Sequence, residues 1–303
     1  MKGLELARGF WKDLLRPALE REAPELTERI AVGLCGAGSD CLGYDDPISR
    51  DHAFAAGCMV FLSESESRET VFRLSTIYDR LPQEYGGFPT EHRSRQGDGR
   101  YGVKTIEGFF RPLIGADGAP ESPIAWLSIP TYYLAEACAG EIFFDGTGEF
   151  TRRREAVRTG MPEDVRLKKL AAAAALMAQA GQYNYARCLR HGEAAAARLA
   201  ADEFVRRSLE MIFLLNRVHM PYYKWAFRAL RALDLLSELK SPLEEILREP
   251  GEEKIERVAA AVIAELRAEG LTGGTWDYLE PHAYEIMRRI RDPEIAALHV
   301  MEG

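Results

Sequence analysis

The chain has 303 residues, of which 47% are hydrophobic and 28% charged, and its formal net charge at pH 7 is −8. These proportions are typical of a globular protein with room for one large domain or two ordinary ones. The acidic balance disfavours a nucleic-acid partner, because phosphate neutralisation usually depends on a basic surface. No apolar run approaches the ~18–20 residues that span a bilayer, so no membrane association is expected.

The cysteines indicate neither a disulfide framework nor a zinc site. There are five, an odd number, and no two of them have the CxxC spacing. The N-terminal segment MKGLELARGFWKDLLRPALERE is amphipathic and carries acidic residues, which is not typical of a signal peptide. We therefore expect a reducing cytoplasmic compartment.

The first half of the chain mixes helical and strand patterns. Apolar residues at a spacing close to 3.6 predict a helix over residues 3–22. Short apolar runs bounded by polar clusters predict three strands, over residues 30–35, 58–62 and 101–106. A helix entered through Ser63 or Ser65 is expected after the second strand. Helical pieces near residues 121–139 and a turn-rich stretch at 143–150 follow.

The second half is helical throughout. Long Ala- and Leu-rich stretches with helical periodicity begin near residue 162; they cover residues 163–180, 194–219, 221–239, 252–269 and 278–291. The predicted fold class is α+β followed by all-α: a mixed sheet with helices over residues 1–160, then a C-terminal helical bundle over residues 161–303.

Residues 38–54, GSDCLGYDDPISRDHAF, carry the strongest chemical signal. Gly38 and Ser39 follow a buried strand, an arrangement that presents backbone N–H groups to a phosphate. Asp45, Asp46 and Asp51 are candidate ligands of a magnesium ion that accompanies a nucleotide. The structural alternative is that the Gly-Ser pair forms an ordinary turn and that the aspartates cap turns or pair with neighbouring cations.

The pattern of a strand, Gly-Ser and then an Asp-containing strand resembles the polymerase-beta-type nucleotidyltransferase superfamily. Four blocks in order also resemble a bacterial domain-of-unknown-function family of predicted nucleotidyltransferases: GSDCLGYDDPISRDHAF, GEIFFDGTGEFTRRREA, MPEDVRLKKLAAAAALMAQAGQYNYARCLRHG and FLLNRVHMPYYKWAFRAL. The resemblance covers about residues 3–240. It implies a nucleotidyltransferase-fold sheet with helices, Mg2+ as cofactor and ATP or another nucleoside triphosphate as substrate.

The resemblance assigns roles to individual residues. Gly38 and Ser39 match the phosphate-loop pair, and Asp51 matches the first metal carboxylate. Ala53 stands where the second carboxylate is expected, and its methyl group cannot bind a cation, so Asp45, Asp46 or His52 would have to substitute. The resemblance assigns no third carboxylate. Glu107, at the end of the third predicted strand, is the first candidate and would deprotonate the acceptor hydroxyl; Glu141 and Asp145 are the next candidates.

The helical half contributes a further candidate in FLLNRVHMPYYKWAFRAL. This segment resembles the substrate-side bundle of aminoglycoside-type nucleotidyltransferases, which implies that Tyr222 and Lys224 bind the nucleotide. Lys224 would offset the charge of the leaving phosphates. The alternative is that the aromatic residues of this segment pack in the core.

The expected reaction is transfer of AMP from Mg-ATP to a hydroxyl of a small molecule or a protein. Two alternatives remain open. One is a nucleotide-binding or interaction protein that kept the fold and lost the metal site, which Ala53 favours. The other is a toxin–antitoxin or defence-type enzyme that modifies tRNA or a partner protein, which the arginine clusters permit and the net charge disfavours.

Overall fold

The structure is a computed structural model that describes residues 1–51, 55–90 and 100–303, except for the side chains of Arg50 and Asp51. None of the helices within these ranges is both long enough and apolar enough to cross a membrane.

Contacts between Cα atoms divide the chain into two compact units. The first unit comprises Met1–Pro120 and Tyr133–Gly160, and the second comprises Glu121–Tyr132 and Met161–Gly303. No signal in the sequence pattern indicates that residues 121–132 belong with the second unit.

The first unit is a mixed sheet with helices on both faces. Its strands are β1 (Ala31–Cys35), β2 (Met59–Leu62), the short β3 (Glu84–Tyr85) and β4 (Phe88–Pro89), β5 (Gly102–Thr105) and β6 (Gly140–Asp145). Its helices are α1 (Gly3–Phe10), α2 (Arg16–Glu22), α3 (Pro24–Thr27), α4 (Arg68–Asp79), α5 (Ile106–Ile114) and α8 (Glu149–Thr159). A π-helical turn, Trp11–Leu15, joins α1 to α2, and a 3-10 turn spans Ile48–Asp51.

The four-stranded sheet has the order β5-β2-β1-β6. β1 runs antiparallel to both β2 and β6, while β2 runs parallel to β5. The C-terminal end of β1 therefore lies on the same side of the sheet as the N-terminal ends of β2, β5 and β6. We call this side, where the strand ends Cys35, Met59, Gly102 and Gly140 lie, the loop edge.

The central strand β1 is buried along its whole length because both faces of the sheet are covered. On one face, Val32 and Val60 pack in a core with residues of α1, α2 and α4. On the other face, Phe61 contacts Phe109 of α5 and Phe150 of α8, with ring centroids 5.5 and 4.3 Å away. The chain leaves this core after β1 and reaches the surface at Ala37.

The second unit is all helical. Its elements are α6 (Pro123–Ser128), the start of α7 (Thr131–Cys138), α9 (Glu163–Met177), a π-helical segment (Ala178–Tyr185), α10 (Ala186–Arg190), α11 (Ala194–Leu215), α12 (Tyr223–Leu230), a 3-10 turn (Ser237–Leu239), α13 (Lys240–Arg248), α14 (Glu252–Ala268), α15 (Leu279–Met287) and α16 (Pro293–Ala296). The helix α9 packs against α11 and α15 at the centre of the unit.

The predicted fold class, a mixed sheet with helices followed by an all-α region, is confirmed. The structure corrects two of the predicted elements. The N-cap of α4 is Ser67, whose hydroxyl accepts the Thr70 N–H at 3.1 Å, and not Ser63 or Ser65. Part of the stretch predicted to be turns, residues 143–145, completes the strand β6.

Lys168 of α9 anchors the C-terminal segment of the second unit. Its side chain is completely buried, and its ammonium donates to the carbonyl oxygens of His299 at 2.8 Å, Val300 at 3.1 Å and Glu302. Burial lowers the pKa of Lys168 to about 8, and the charge of Glu302 opposes this shift only in part. A buried ammonium thus holds residues 299–302 against α9.

We expect the stability contributed by Lys168 to depend on pH. Its pKa in the folded protein, about 8, lies below the ordinary 10.5, so between these values the unfolded chain binds the additional proton. The cost of burying the charged ammonium is therefore fully present below about pH 8 and disappears as pH rises to 10.5. The free energy of unfolding should therefore rise with pH by about 3 kcal/mol relative to that of Lys168→Met.

Denaturant unfolding of both proteins across this pH range measures the difference. The exposed Lys12→Met serves as the control, and its difference from the original chain should stay flat. A flat difference for Lys168→Met as well would contradict the lowered pKa.

Candidate functional site

The loop that leaves β1 presents polar groups at the loop edge. Gly38 is exposed and has φ of 127°, a conformation that favours glycine. Within the described part of the chain, no acceptor meets the backbone N–H of Ala37, Gly38 or Ser39, and the Ser39 hydroxyl makes no hydrogen bond. Neighbouring N–H groups without acceptors are suited to binding an anion.

An ion pair at the loop edge holds this loop in place. Arg100, which precedes β5, donates from Nη2 to Asp40 Oδ1 at 2.6 Å and to the Ala37 carbonyl oxygen at 3.1 Å. The same Asp40 oxygen accepts the Cys41 N–H at 2.9 Å. A Cβ atom on Gly38 would lie 2.7 Å from Arg100 Nη2, so the guanidinium group lies directly against the glycine.

Asp45 is engaged with the beginning of α1. Its Oδ2 accepts the Gly3 N–H at 2.9 Å, and its buried Oδ1 lies 3.4 Å from the ammonium of Lys2 without a hydrogen bond. Lys2 also donates to the carbonyl oxygen of Asp45. A lysine ammonium therefore already supplies the positive charge that this carboxylate requires.

Asp46 caps the 3-10 turn Ile48–Asp51. Its Oδ1 accepts the N–H groups of Ile48 at 3.0 Å and Ser49 at 2.9 Å, and it contacts the Ser49 hydroxyl at 3.0 Å. These contacts are the local hydrogen bonds typical of an Asx turn. Two of the three predicted metal ligands, Asp45 and Asp46, thus have partners within the protein.

Asp51 is the residue predicted to be the first metal carboxylate, and the structure describes only its backbone. The backbone of Asp51 ends the 3-10 turn and is not part of a strand, so the strand geometry expected for an Asp-x-Asp pair is wrong at this residue. Its side chain, and all of His52 and Ala53, lie outside the described residues. Across the described residues, no group of three or more His, Cys, Asp or Glu side chains is arranged to hold a metal ion.

The candidates for the third carboxylate lie at opposite edges of the sheet. Glu107 follows the C-terminal end of β5, away from the loop edge, where it accepts the Glu64 N–H at 2.9 Å and pairs with Arg153 at 2.8 Å. Asp145 also lies away from the loop edge and caps α8 by accepting the Gly148 and Thr151 N–H groups. The structure therefore brings neither residue to Gly38 and Ser39.

Glu141 is the candidate at the loop edge. It is the second residue of β6, opposite Leu34 of β1. Its side chain is 40% exposed and pairs with Arg8 of α1. Of the three predicted carboxylates, Glu141 is thus the one that shares the edge of the sheet with the Gly-Ser loop.

The cysteines at this edge are not activated nucleophiles. Burial raises the pKa of the Cys35 and Cys41 thiols to about 12, and neighbouring Arg154 and Arg100 lower these values only in part. Both thiols are therefore neutral near pH 7, which excludes thiolate chemistry there.

Tyr222 and Lys224 belong to the second unit. Tyr222 is 44% exposed, packs its ring on Tyr223 at 4.4 Å between centroids, and contributes to the wall of a cavity. Lys224 is exposed and lies over the Trp225 ring at 5.0 Å, outside the set of residues that line this cavity. The two predicted residues are therefore not brought together in one wall.

Arg100 was not identified as a site residue from the sequence. The available signal was its position at the end of the arginine-rich stretch Arg93, Arg95 and Arg100, immediately before a predicted strand. The pairing with Asp40 depends on β5 and β1 meeting at one edge of the sheet, which the linear sequence does not show.

Comparisons with known proteins give two similarities. Residues 126–226 match the model of a family described as a domain of unknown function, DUF4037. The crystal structure of a nucleotidyltransferase-like protein from Exiguobacterium sibiricum 255-15 matches at a TM-score of 0.37 and 14% identity, covering 95% of this chain and 81% of that one. This structural similarity is too low to carry an argument. No curated protein matches the sequence.

We expect Gly38→Ala to destabilise the protein by about 2–3 kcal/mol, because φ is unfavourable and the new Cβ would lie 2.5 Å from Asp40 Oδ1. Gly43→Ala is the matched control: φ there is 68°, and no atom of the described residues lies within 4 Å of the added Cβ. That control should cost about 1 kcal/mol. Denaturant unfolding measures both values, and equal losses would show that the Asp40–Arg100 pair does not constrain Gly38.

Proposed function

We propose that the first unit binds a nucleoside triphosphate at the Gly-Ser loop and transfers its nucleotidyl group, AMP in the case of ATP, to a hydroxyl of a small molecule or protein. The observation that carries this proposal is the exposed turn at the end of buried strand β1. There the N–H groups of Ala37, Gly38 and Ser39 meet no acceptor among the described residues. The Arg100 guanidinium lies against the same turn.

The proposed binding mode follows from charge and hydrogen bonding. Phosphate oxygens accept from the Gly38 and Ser39 N–H groups and from the Ser39 hydroxyl, each a charge-assisted hydrogen bond. Arg100 is bonded to Asp40, so its main contribution is to position the turn. The absence of a Cβ on Gly38 permits its φ of 127° and makes room for Asp40 Oδ1 and Arg100 Nη2, which fix the turn from inside the protein.

In the proposed reaction, the acceptor oxygen forms a bond to the α-phosphorus. The bond from the α-phosphorus to the oxygen that bridges to the β-phosphate breaks, and pyrophosphate leaves with that electron pair. The proton of the acceptor hydroxyl goes to a carboxylate. We assign this role to Glu141 instead of Glu107, because Glu141 shares the loop edge with Ser39.

The described carboxylates do not fit a magnesium site. Asp45 lies against Lys2, Asp46 caps a turn and Asp40 pairs with Arg100. A divalent ion requires several free oxygen ligands directed at one point. The predicted magnesium site therefore rests on Asp51, and no step of the proposed transfer is derived through a metal.

A nucleotide-binding protein without transfer activity is the second candidate function. It is favoured by the same engagement of Asp40, Asp45 and Asp46 with partners inside the protein. The two candidates agree on the Gly-Ser loop and differ in whether labelled AMP reaches an acceptor. Lys224 has no assigned contact in either and stays a prediction.

We expect Ser39→Ala to weaken ATP binding by about tenfold or more, because a hydrogen bond to a charged phosphate contributes roughly 1.5–3 kcal/mol. Isothermal titration with ATP measures the affinity. Thr76→Ala, which removes a hydroxyl from α4 in the same unit, is the control and should leave the affinity unchanged. Equal affinities for the original chain and Ser39→Ala would contradict binding at this loop.

The transfer is tested with ATP labelled at the α-phosphate, magnesium or manganese, and a cell extract as the source of acceptors. If the protein is a nucleotidyltransferase, a labelled product should form. Asp51→Asn should abolish this product, and Glu141→Gln should reduce it. ATP binding that depends on Ser39, without labelled product, would instead establish the second candidate function.

A further inference from the structure

The second unit contains a cavity of about 430 Å3 that the proposed nucleotide loop does not use. Its walls come from residues 127–132, from α9 and α11, and from residues 218–223. A volume of this size falls within the range of sites for small organic ligands, roughly 300–1,000 Å3. The family match at residues 126–226 includes every residue that lines it apart from Gly303.

The cavity wall carries more positive than negative side chains. Lys169, Arg206 and Arg207 line it, together with the single acidic residue Glu210. Glu210 is bonded to Arg207 at 2.8 Å, and Arg207 also pairs with Glu203 at 2.6 Å. With Glu203 included, these five side chains carry three positive and two negative charges, a net charge of +1.

Lys169 is the least compensated of these cations. Its ammonium donates to the Leu127 carbonyl oxygen at 3.2 Å, and no carboxylate of the described residues lies within ion-pair distance. Burial lowers the pKa of Lys169, and the charge of Glu210 opposes this shift. Arg206 is 70% exposed and approaches Glu203 only at 3.9 Å. An anion in the cavity would give Lys169 an ion-pair partner and Arg206 a second one.

Tyrosine rings and apolar side chains form the remainder of the wall. Tyr132 contacts Tyr222 edge-on at 5.8 Å between centroids, and Tyr222 packs on Tyr223. Tyr222 and Tyr223 are 44% and 71% exposed, so part of each ring is open to a ligand. Ala172 and Phe213 supply apolar surface deeper in the unit.

From this arrangement we propose that the cavity is a binding site for a small molecule that combines an anionic group, phosphate or carboxylate, with a flat aromatic ring. The anionic group pairs with Lys169 and Arg206, and the ring packs against Tyr132 and Tyr222. The positive wall disfavours polyamines and other polycations. This site lies in a different unit from the Gly-Ser loop and does not depend on nucleotidyl transfer.

Phenyl phosphate is the probe, because it carries both features. Inorganic phosphate carries only the charge, and benzyl alcohol only the ring. Ligand-detected NMR and isothermal titration on the full chain should show phenyl phosphate binding more tightly than either, while spermine should not bind at the cavity. No binding of phenyl phosphate at millimolar concentration would overturn the proposal.

Two variants test the location. Lys169→Met and Tyr222→Leu should each weaken phenyl phosphate binding by about tenfold. Arg206→Gln, at an exposed side chain that is not required for packing, should weaken it less and provides a test if Lys169→Met unfolds. Lys254→Met and Tyr284→Leu, which lie outside the cavity wall, are the matched controls. Circular dichroism checks that each variant is folded.

The site is distinguished from the nucleotide loop by Ser39→Ala. Phenyl phosphate affinity that is unchanged by Ser39→Ala and weakened by Lys169→Met supports the cavity. Affinity that follows Ser39→Ala and ignores Lys169→Met and Tyr222→Leu would assign the probe to the Gly-Ser loop and overturn the proposal.

Discussion

The Asp40–Arg100 ion pair is the interaction on which the candidate nucleotide loop depends. Asp40 is buried, and Arg100 connects it to the Ala37 carbonyl oxygen just after the end of β1. The beginning of α1 packs on the same aspartate, since a Cβ on Gly3 would lie 2.6 Å from Asp40 Cβ. Removing Arg100 would leave the buried Asp40 carboxylate without its cation, a loss that costs about 3–5 kcal/mol for buried pairs. The pair thus connects the loop that follows β1, the segment that precedes β5 and the N-terminal end of α1.

The elements with strong local signals were predictable from the sequence. β1 and β2 are short apolar runs bounded by polar residues, and both lie within one residue of the predicted ranges. β6 was missed because its apolar core is only Ile142, Phe143 and Phe144, followed by the turn signal Asp-Gly. Its pairing with β1 is a long-range interaction that completes the sheet, and no local propensity encodes it.

The candidate site was predictable in its residue types and not in its partners. The sequence predicted that Gly38 and Ser39 form a turn after a buried strand, and the structure has them in such a turn, with Gly38 exposed. The sequence did not show that the Lys2 ammonium would lie beside the Asp45 carboxylate. Nor did it show that Glu107 would lie at the end of β5 opposite the loop edge. The first outcome follows from the packing of the start of α1 against the loop, and the second follows from the direction of β5; a linear motif determines neither.

The adjacent residues Lys168 and Lys169 illustrate why net charge is a poor guide to ligands in this chain. Neighbours on an α-helix differ by about 100° around its axis, so one helix can direct two identical side chains to different surroundings. Lys168 is buried against backbone carbonyl oxygens, whereas Lys169 lines the cavity. The first ammonium is satisfied within the protein, and the second has one backbone acceptor and no ion pair in the described chain. A chain with a net charge of −8 can therefore still present a locally positive surface to an anion.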